Sequence, residues 1–132
     1  MIRIEQLTKS YGDTTVLNIP EMDIPKGQVF GLVGNNGAGK TTLFSLLLDL
    51  IQATEGTVKI DQLDVSTSED WKTNTAAFLD DSFLIGYLTP EEYFNFIGEL
   101  RKVSKEDVDE LLAGYADFFN DEILNKKKYI RD

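Results

Sequence analysis

The stretch that most constrains the fold is GNNGAGKT, residues 34–41, which matches the pattern G-x-x-x-x-G-K-[ST] at every position. It follows a short, nearly all-apolar run at residues 29–33 and precedes a leucine-rich stretch at residues 41–51. The apolar run is typical of a parallel strand buried on both faces, and the leucine-rich stretch predicts a helix. A strand, a glycine-rich loop and a helix in this order predict an α/β fold with a phosphate-binding loop.

Each residue type in this loop has a physical reason. Glycines let the backbone wrap tightly, so that successive N–H groups point at phosphate oxygens, and the following helix aims its positive end at the same anion. Lys40 is a candidate catalytic residue and is predicted to reach the β- and γ-phosphates, and the Thr41 hydroxyl is predicted to bind Mg²⁺. The residues predicted to bind the nucleotide here are Gly34, Asn35, Asn36, Gly37, Ala38, Gly39, Lys40, Thr41 and Thr42.

The rest of the chain divides into a β-rich front and a mostly helical back. Alternating apolar residues predict strands at 2–7, 16–19 and 57–60, and residues 75–79 are compatible with one more buried strand. Thr89, Pro90 and Glu92 form a helix start with a capping box. A second helix is predicted to begin after Ser104.

Composition narrows the function classes. The net charge is −10, and 17 of the 23 acidic residues follow residue 60, which argues against a nucleic-acid partner. The chain has no cysteine and no histidine, so disulfides, thiolate metal sites and histidine-based catalysis are excluded. No apolar run reaches the roughly 18 residues of a membrane-spanning helix.

The wider context resembles one family. The stretch LTKSYGDTTVLNIPEMDIPKGQVFGLVGNNGAGKTTL, residues 7–43, is similar over its whole length to the opening of ATP-binding-cassette (ABC) ATPases. The resemblance implies an α/β P-loop NTPase core with an N-terminal antiparallel β subdomain (with the core, residues 1–81) and the start of a helical subdomain (residues 82–132). By position, Tyr11 matches the family's aromatic residue that stacks on adenine. Alone, a tyrosine at a strand end is usually a packing residue, but its flat ring suits a purine.

A second stretch, NTAAFLDDSFLIGYLTPEEYFNFIGEL at residues 74–100, looks like the family's link to the helical subdomain. The family usually has a glutamine there that senses the γ-phosphate and Mg²⁺, and Asp81 occupies its place. A carboxylate can bind Mg²⁺ but donates no hydrogen bond when ionised. Asp81 is therefore a candidate catalytic and metal-binding residue. The alternative is that Asp80 and Asp81 form an acidic turn before the helices.

The family's hydrolytic Asp-Glu strand end, its following histidine and its L-S-G-G-Q signature do not occur in these 132 residues. We therefore expect the front part of an ABC subunit, ending just before the signature, in which the strand at 29–33 lacks neighbours. Such a piece is expected to persist only by association, by swapping elements or within a longer chain.

For the full subunit, the resemblance implies hydrolysis of ATP with Mg²⁺ to power transport. The implied partners are transmembrane permease subunits and a second ATP-binding subunit, identical or different, with Asn36 nearest that trans contact. The implied location is cytoplasmic, at the inner face of the cell membrane. The helix start LTPEEYF is closest in wording to the bacterial export and antibiotic-resistance branch.

Three other functions stay open at this point. The first is a GTPase or phosphoryl-transfer P-loop enzyme, although Asn125-Lys126-Lys127-Lys128 does not supply the Asn/Lys-x-Asp motif of guanine recognition. The second is a module that holds nucleotide without turnover. The third is a non-transport ABC ATPase that acts in translation or DNA repair.

Overall fold

The computed structural model describes residues 1–120 and 122–131. The chain forms two compact units, Met1–Leu79 and a second that begins at Asp80. The predicted division into a β subdomain with the P-loop core (1–81) and a helical subdomain (82–132) stays a prediction. Residues 121 and 132 of the latter lie outside the described part of the chain.

The first unit is built on a four-stranded antiparallel sheet. Its strands are β1 (Ile2–Tyr11), β2 (Thr14–Ile24), β3 (Glu55–Ile60) and β4 (Leu63–Asp64), in the order β2-β1-β3-β4. The strands predicted at 2–7, 16–19 and 57–60 are confirmed, and each is longer than predicted because pairing with a neighbouring strand continues through polar residues. The short β4 was not predicted.

Helix α1 (Lys40–Leu47) packs on one face of this sheet. Ile4 and Leu7 of β1 are fully buried against Leu43 and Leu46 of the helix. Each buried aliphatic side chain of this size contributes about 1.5–3 kcal/mol relative to an exposed one. The predicted helix extended to residue 51; instead Leu48 is its C-cap, and Asp49 follows with a left-handed φ of 53°.

A β-bulge at Gln6 lets Ile4 and Leu7 share the core. Residues three apart on a regular strand point to opposite faces, but the pairing of β1 with β3 shifts between Glu5 and Thr8, and Gln6 has a φ of 50°. The extra residue turns Leu7 inward. From Leu7 onward, the odd-numbered residues of β1 therefore lie on the helix-covered face.

Two of the predicted strands do not form. Residues 28–35 and 75–79 have no regular secondary structure, and Val29 and Val33 are 104% and 95% exposed. A strand exists only where its N–H and C=O groups find a ladder partner, and no described strand pairs with either segment. The prediction of a parallel strand buried on both faces at 29–33 is therefore wrong for the described chain.

The second unit is helical. A 3₁₀ turn (Asp81–Phe83) precedes α2 (Pro90–Leu100), α3 (Lys105–Ala113) and α4 (Ala116–Phe119). The predicted capping box is confirmed: the Glu92 amide donates to the Thr89 hydroxyl at 3.3 Å, and the Glu92 carboxylate accepts from the Thr89 amide at 2.8 Å. Ser104 caps α3 as predicted, accepting from the Asp107 amide.

Among the described residues, no helix is both long and apolar enough to cross a bilayer.

Gly56 offers a test of the bulge. A Cβ at Gly56 would lie 2.2 Å from the Gln6 carbonyl oxygen, and its φ is 83°. Gly27 has a matching φ of 80° with nothing within 4 Å of its Cβ position. We expect Gly27→Ala to lower the free energy of unfolding by about 1–2 kcal/mol through backbone strain, and Gly56→Ala by about 1–3 kcal/mol more, measured by urea denaturation. Equal losses would contradict the close approach of β1 and β3.

Candidate functional site

The loop at residues 34–39 has the backbone that its glycines predict. Gly37 and Gly39 have φ values of 84° and 86°, in the left-handed region that other residues avoid. Gly39 is the N-cap of α1 and has no side chain to cap it, so the first amides of the helix face the loop. Unpaired amides at a helix start attract an anion.

Lys40, the first residue of α1, folds back over this loop. Its ammonium donates to the Gly34 carbonyl and, at 2.8 Å, to the Asn35 carbonyl. The Ala38 amide donates to the same Asn35 oxygen at 3.1 Å. An ammonium has three donors, and none of the ion pairs between described residues involves Lys40. One N–H and the full positive charge therefore remain for a phosphate.

The loop is seated on β2. The pairing of β1 with β2 shifts between Lys9 and Ser10, because Lys9 faces Leu17 and Ser10 faces Thr15. Val16 is thus an extra residue, and a Cβ at Gly39 would lie 2.9 Å from its carbonyl oxygen. Only a glycine allows this approach, so the bulge sets how close the loop and helix lie to the hairpin.

Tyr11 lies at the tip of the same hairpin. It pairs with Thr14 of β2. Thr14 is two residues from Val16, which is about 7 Å along the strand. Leu7, Lys9 and Tyr11 alternate onto the face that α1 covers, and the Tyr11 side chain is 58% exposed. The structure thus brings the predicted adenine platform and the predicted phosphate loop into one unit, on one face of the sheet.

The other predicted loop residues lie as follows. Thr41, in the first turn of α1, is exposed, and Thr42 is half-buried. Asn35, Asn36 and Ala38 are exposed on the loop. The Thr41 hydroxyl is a hard oxygen ligand of the kind that Mg²⁺ prefers, alongside phosphate oxygens and water.

Asp81 belongs to the second unit, so its part in the site stays a prediction. It begins the 3₁₀ turn and is exposed. Its neighbour Asp80 is the capping residue: hydrogen bonds from the Ser82 hydroxyl and amide hold the pKa of Asp80 below its ordinary value. Among the described residues the Asp81 carboxylate accepts no such bond, and no group of three acidic, cysteine or histidine side chains forms a metal site.

Sequence reasoning missed Lys9. Its ammonium lies 4.8 Å from the centroid of the Tyr11 ring. The signal was present, because two residues on a strand share a face when they are two apart. The sequence alone does not show that the lysine turns toward the ring rather than into solvent.

Comparisons with known proteins give a consistent result. The family model described as "ABC transporter" matches residues 17–129. The bacitracin transport ATP-binding protein BcrA of Enterococcus faecalis is 50% identical over 60 residues, which are 46% of this chain and 20% of that protein. An ABC transporter ATP-binding protein of Bacillus subtilis, YhaQ, is 30% identical over 138 residues, covering 97% of this chain and 42% of that protein.

Among solved structures, an ATP-binding subunit of an ABC transporter superimposes with a TM-score of 0.79 at 22% identity, over 92% of this chain and 51% of that one. This likeness shows a shared fold. The chain spans less than half the length of these two curated relatives.

The seating of the loop on β2 generates a prediction. Gly37 and Gly39 have nearly equal φ values, but only Gly39 faces a neighbour, whereas Gly37 has open space. We expect Gly39→Ala to raise the rate of amide exchange about tenfold both in the loop and in residues 14–19 of β2. The new methyl group would clash with the Val16 carbonyl oxygen and destabilise the contact between loop and strand by roughly 1–2 kcal/mol. Gly37→Ala should affect the loop alone. Hydrogen exchange read by mass spectrometry separates the two, and an unchanged β2 in Gly39→Ala refutes the contact.

Proposed function

The chain belongs to the ABC transporter family, and we propose that it binds Mg-ATP and, within the complete subunit, hydrolyses it to power transport across a membrane. The observation that carries this proposal is the loop itself. Two glycines with left-handed backbone conformation, an N-cap without a side chain and a lysine outside any ion pair of the described residues meet at one helix start. These are the groups that a triphosphate requires.

In the proposed complex the triphosphate lies along the loop. The backbone amides of residues 34–39 that have no protein acceptor and those of the first turn of α1 bind phosphate oxygens, and Lys40 neutralises the β- and γ-phosphates. Thr41 would hold Mg²⁺, which supplies charge neutralisation to the transferring phosphoryl group. Tyr11 stacks on the adenine. The proposed binding residues beside these are Gly34, Asn35, Asn36, Gly37, Ala38, Gly39 and Thr42.

Hydrolysis also needs an acidic ligand for Mg²⁺ in addition to Thr41, and a residue that positions water. Asp81 is the proposed candidate within this chain, because its carboxylate is exposed while Asp80 performs the capping. We further propose that a second ATP-binding subunit completes the site near Asn36. Permease subunits would bind the helical region, with the chain on the cytoplasmic side of the membrane.

The transported substrate stays unspecified. The match to a bacitracin transport protein over 60 residues supports the export and antibiotic-resistance branch that the helix start LTPEEYF resembles. That match covers under half of this chain, and selection of cargo belongs to permease segments outside it.

Lys40 gives the direct test of nucleotide binding. In the complete gene product, Lys40→Ala should weaken binding of a fluorescent Mg-ATP analogue by about 10- to 100-fold, since a hydrogen bond to a charged group is worth roughly 1.5–3 kcal/mol. Lys26→Ala, in the exposed turn before residue 28, is the matched control and should bind normally. Equal affinity of Lys40→Ala and the control would contradict the proposal, as would tighter binding of GTP than of ATP.

Thr41 tests the metal separately. Thr41→Ala should lose most of the gain in ATP affinity that Mg²⁺ gives, while its affinity in EDTA stays close to that of the unchanged protein, because only the metal ligand is removed. Thr67→Ala, on an exposed turn, is the control. A Thr41→Ala protein with a normal Mg²⁺ dependence in calorimetric titrations would remove Thr41 from the metal site.

A further inference from the structure

The hairpin tip carries a second contact to the predicted adenine platform. Lys9 and Tyr11 lie two apart on β1, and the Lys9 ammonium lies 4.8 Å from the ring centroid. This is within the roughly 6 Å over which a cation is attracted to an aromatic face. The same ammonium donates to the Gln52 carbonyl at 2.8 Å. The Lys9 ammonium is thus held by two contacts, one with the Tyr11 ring and one with the Gln52 carbonyl oxygen.

The Gln52 carbonyl is itself held against the hairpin. Two residues further on, the Thr54 amide donates to the Thr8 carbonyl at 2.8 Å. The Thr54 hydroxyl accepts from the Ser10 amide at 2.9 Å. The acceptor of Lys9 therefore belongs to a segment that is hydrogen-bonded to both neighbours of Lys9 on β1, which fixes where the ammonium can lie.

We propose that Lys9 is a positioning residue for base recognition: it covers one face of the Tyr11 ring and restrains it, so that adenine stacks on the opposite face. The inference rests on the proposed ATP binding and adds a residue to it. An exposed aromatic side chain rotates among several rotamers, and each free rotamer costs binding entropy when a base must stack. Restraint by Lys9 removes part of that cost before the nucleotide arrives.

Charge alone gives a different expectation for Lys9. A lysine that merely added positive potential near the phosphates would strengthen binding of any polyphosphate, with or without a base. A lysine that acts through the Tyr11 ring strengthens only ligands that stack. The ratio of affinities for Mg-ATP and for inorganic triphosphate with Mg²⁺ therefore separates the two roles.

The experiment uses the complete gene product and titration calorimetry with these two ligands. Lys9→Met keeps an unbranched side chain that is one atom shorter and removes the charge. We expect the dissociation constant for ATP to rise about three- to tenfold while that for triphosphate changes less than twofold. Lys9→Arg keeps a cation that stacks on aromatic rings and should restore most of the ATP affinity. Lys59→Met, whose ammonium pairs with Glu5 on the other face of the sheet, should leave the ratio unchanged.

A double variant completes the test. If Lys9 acts through the ring, Lys9→Met should have no further effect in a Tyr11→Ala background. The inference is overturned if Lys9→Met weakens both ligands equally, if its effect persists without the ring, or if ATP binding is unchanged. Failure of the unchanged protein to bind ATP, or indifference to Lys40→Ala, instead overturns the proposed function. ATP binding that depends on Lys40 and Tyr11 but not on Lys9 overturns this inference alone.

Discussion

The close approach of Gly39 to the Val16 carbonyl is the contact on which the arrangement of the first unit depends. It fixes the start of α1 against β2, and the helix then buries Leu43 and Leu46 on the sheet. The same contact sets the loop beside the hairpin tip that carries Tyr11. The seating of α1 and the geometry of the candidate site therefore both depend on one steric fact, the absence of a side chain at Gly39 where it faces the bulge at Val16. A change that stabilises the core by altering this contact also moves the loop.

The parts of the fold that sequence predicts correctly are those with local causes. The capping box at Thr89 and Glu92 and the cap at Ser104 need only neighbouring residues, and the positive φ of Gly37 and Gly39 follows from the loop motif. The prediction of a strand at 29–33 is wrong because a strand depends on partners. Apolar and β-branched residues favour the extended conformation, but a strand forms only where a neighbouring strand supplies hydrogen bonds.

The two bulges show a different limit of prediction. At Gln6 and Val16 an extra residue changes which side chains share a face, and alternation read from the sequence then assigns the wrong face to residues beyond it. Strand geometry places Lys9 and Tyr11 on the same face, yet the Gln52 carbonyl that anchors the Lys9 ammonium is 43 residues away in sequence. The loop residues could be predicted from a motif, whereas the groups that hold the hairpin tip could not.

Lys40 has a structural role beside its proposed chemical one, because its ammonium holds the carbonyls of Gly34 and Asn35 at the entry to the loop. Gly34 leads into the loop from a segment without a ladder partner among the described residues, and its carbonyl is held by the Lys40 ammonium. The entry to the loop is therefore ordered by a side chain on the helix that the loop begins. A phosphate that attracts the same ammonium shares it with the Gly34 and Asn35 carbonyls, and because an ammonium has three donors, it can bind all three at once. Nucleotide binding and ordering of the loop are then mutually reinforcing, since each keeps Lys40 where the other needs it.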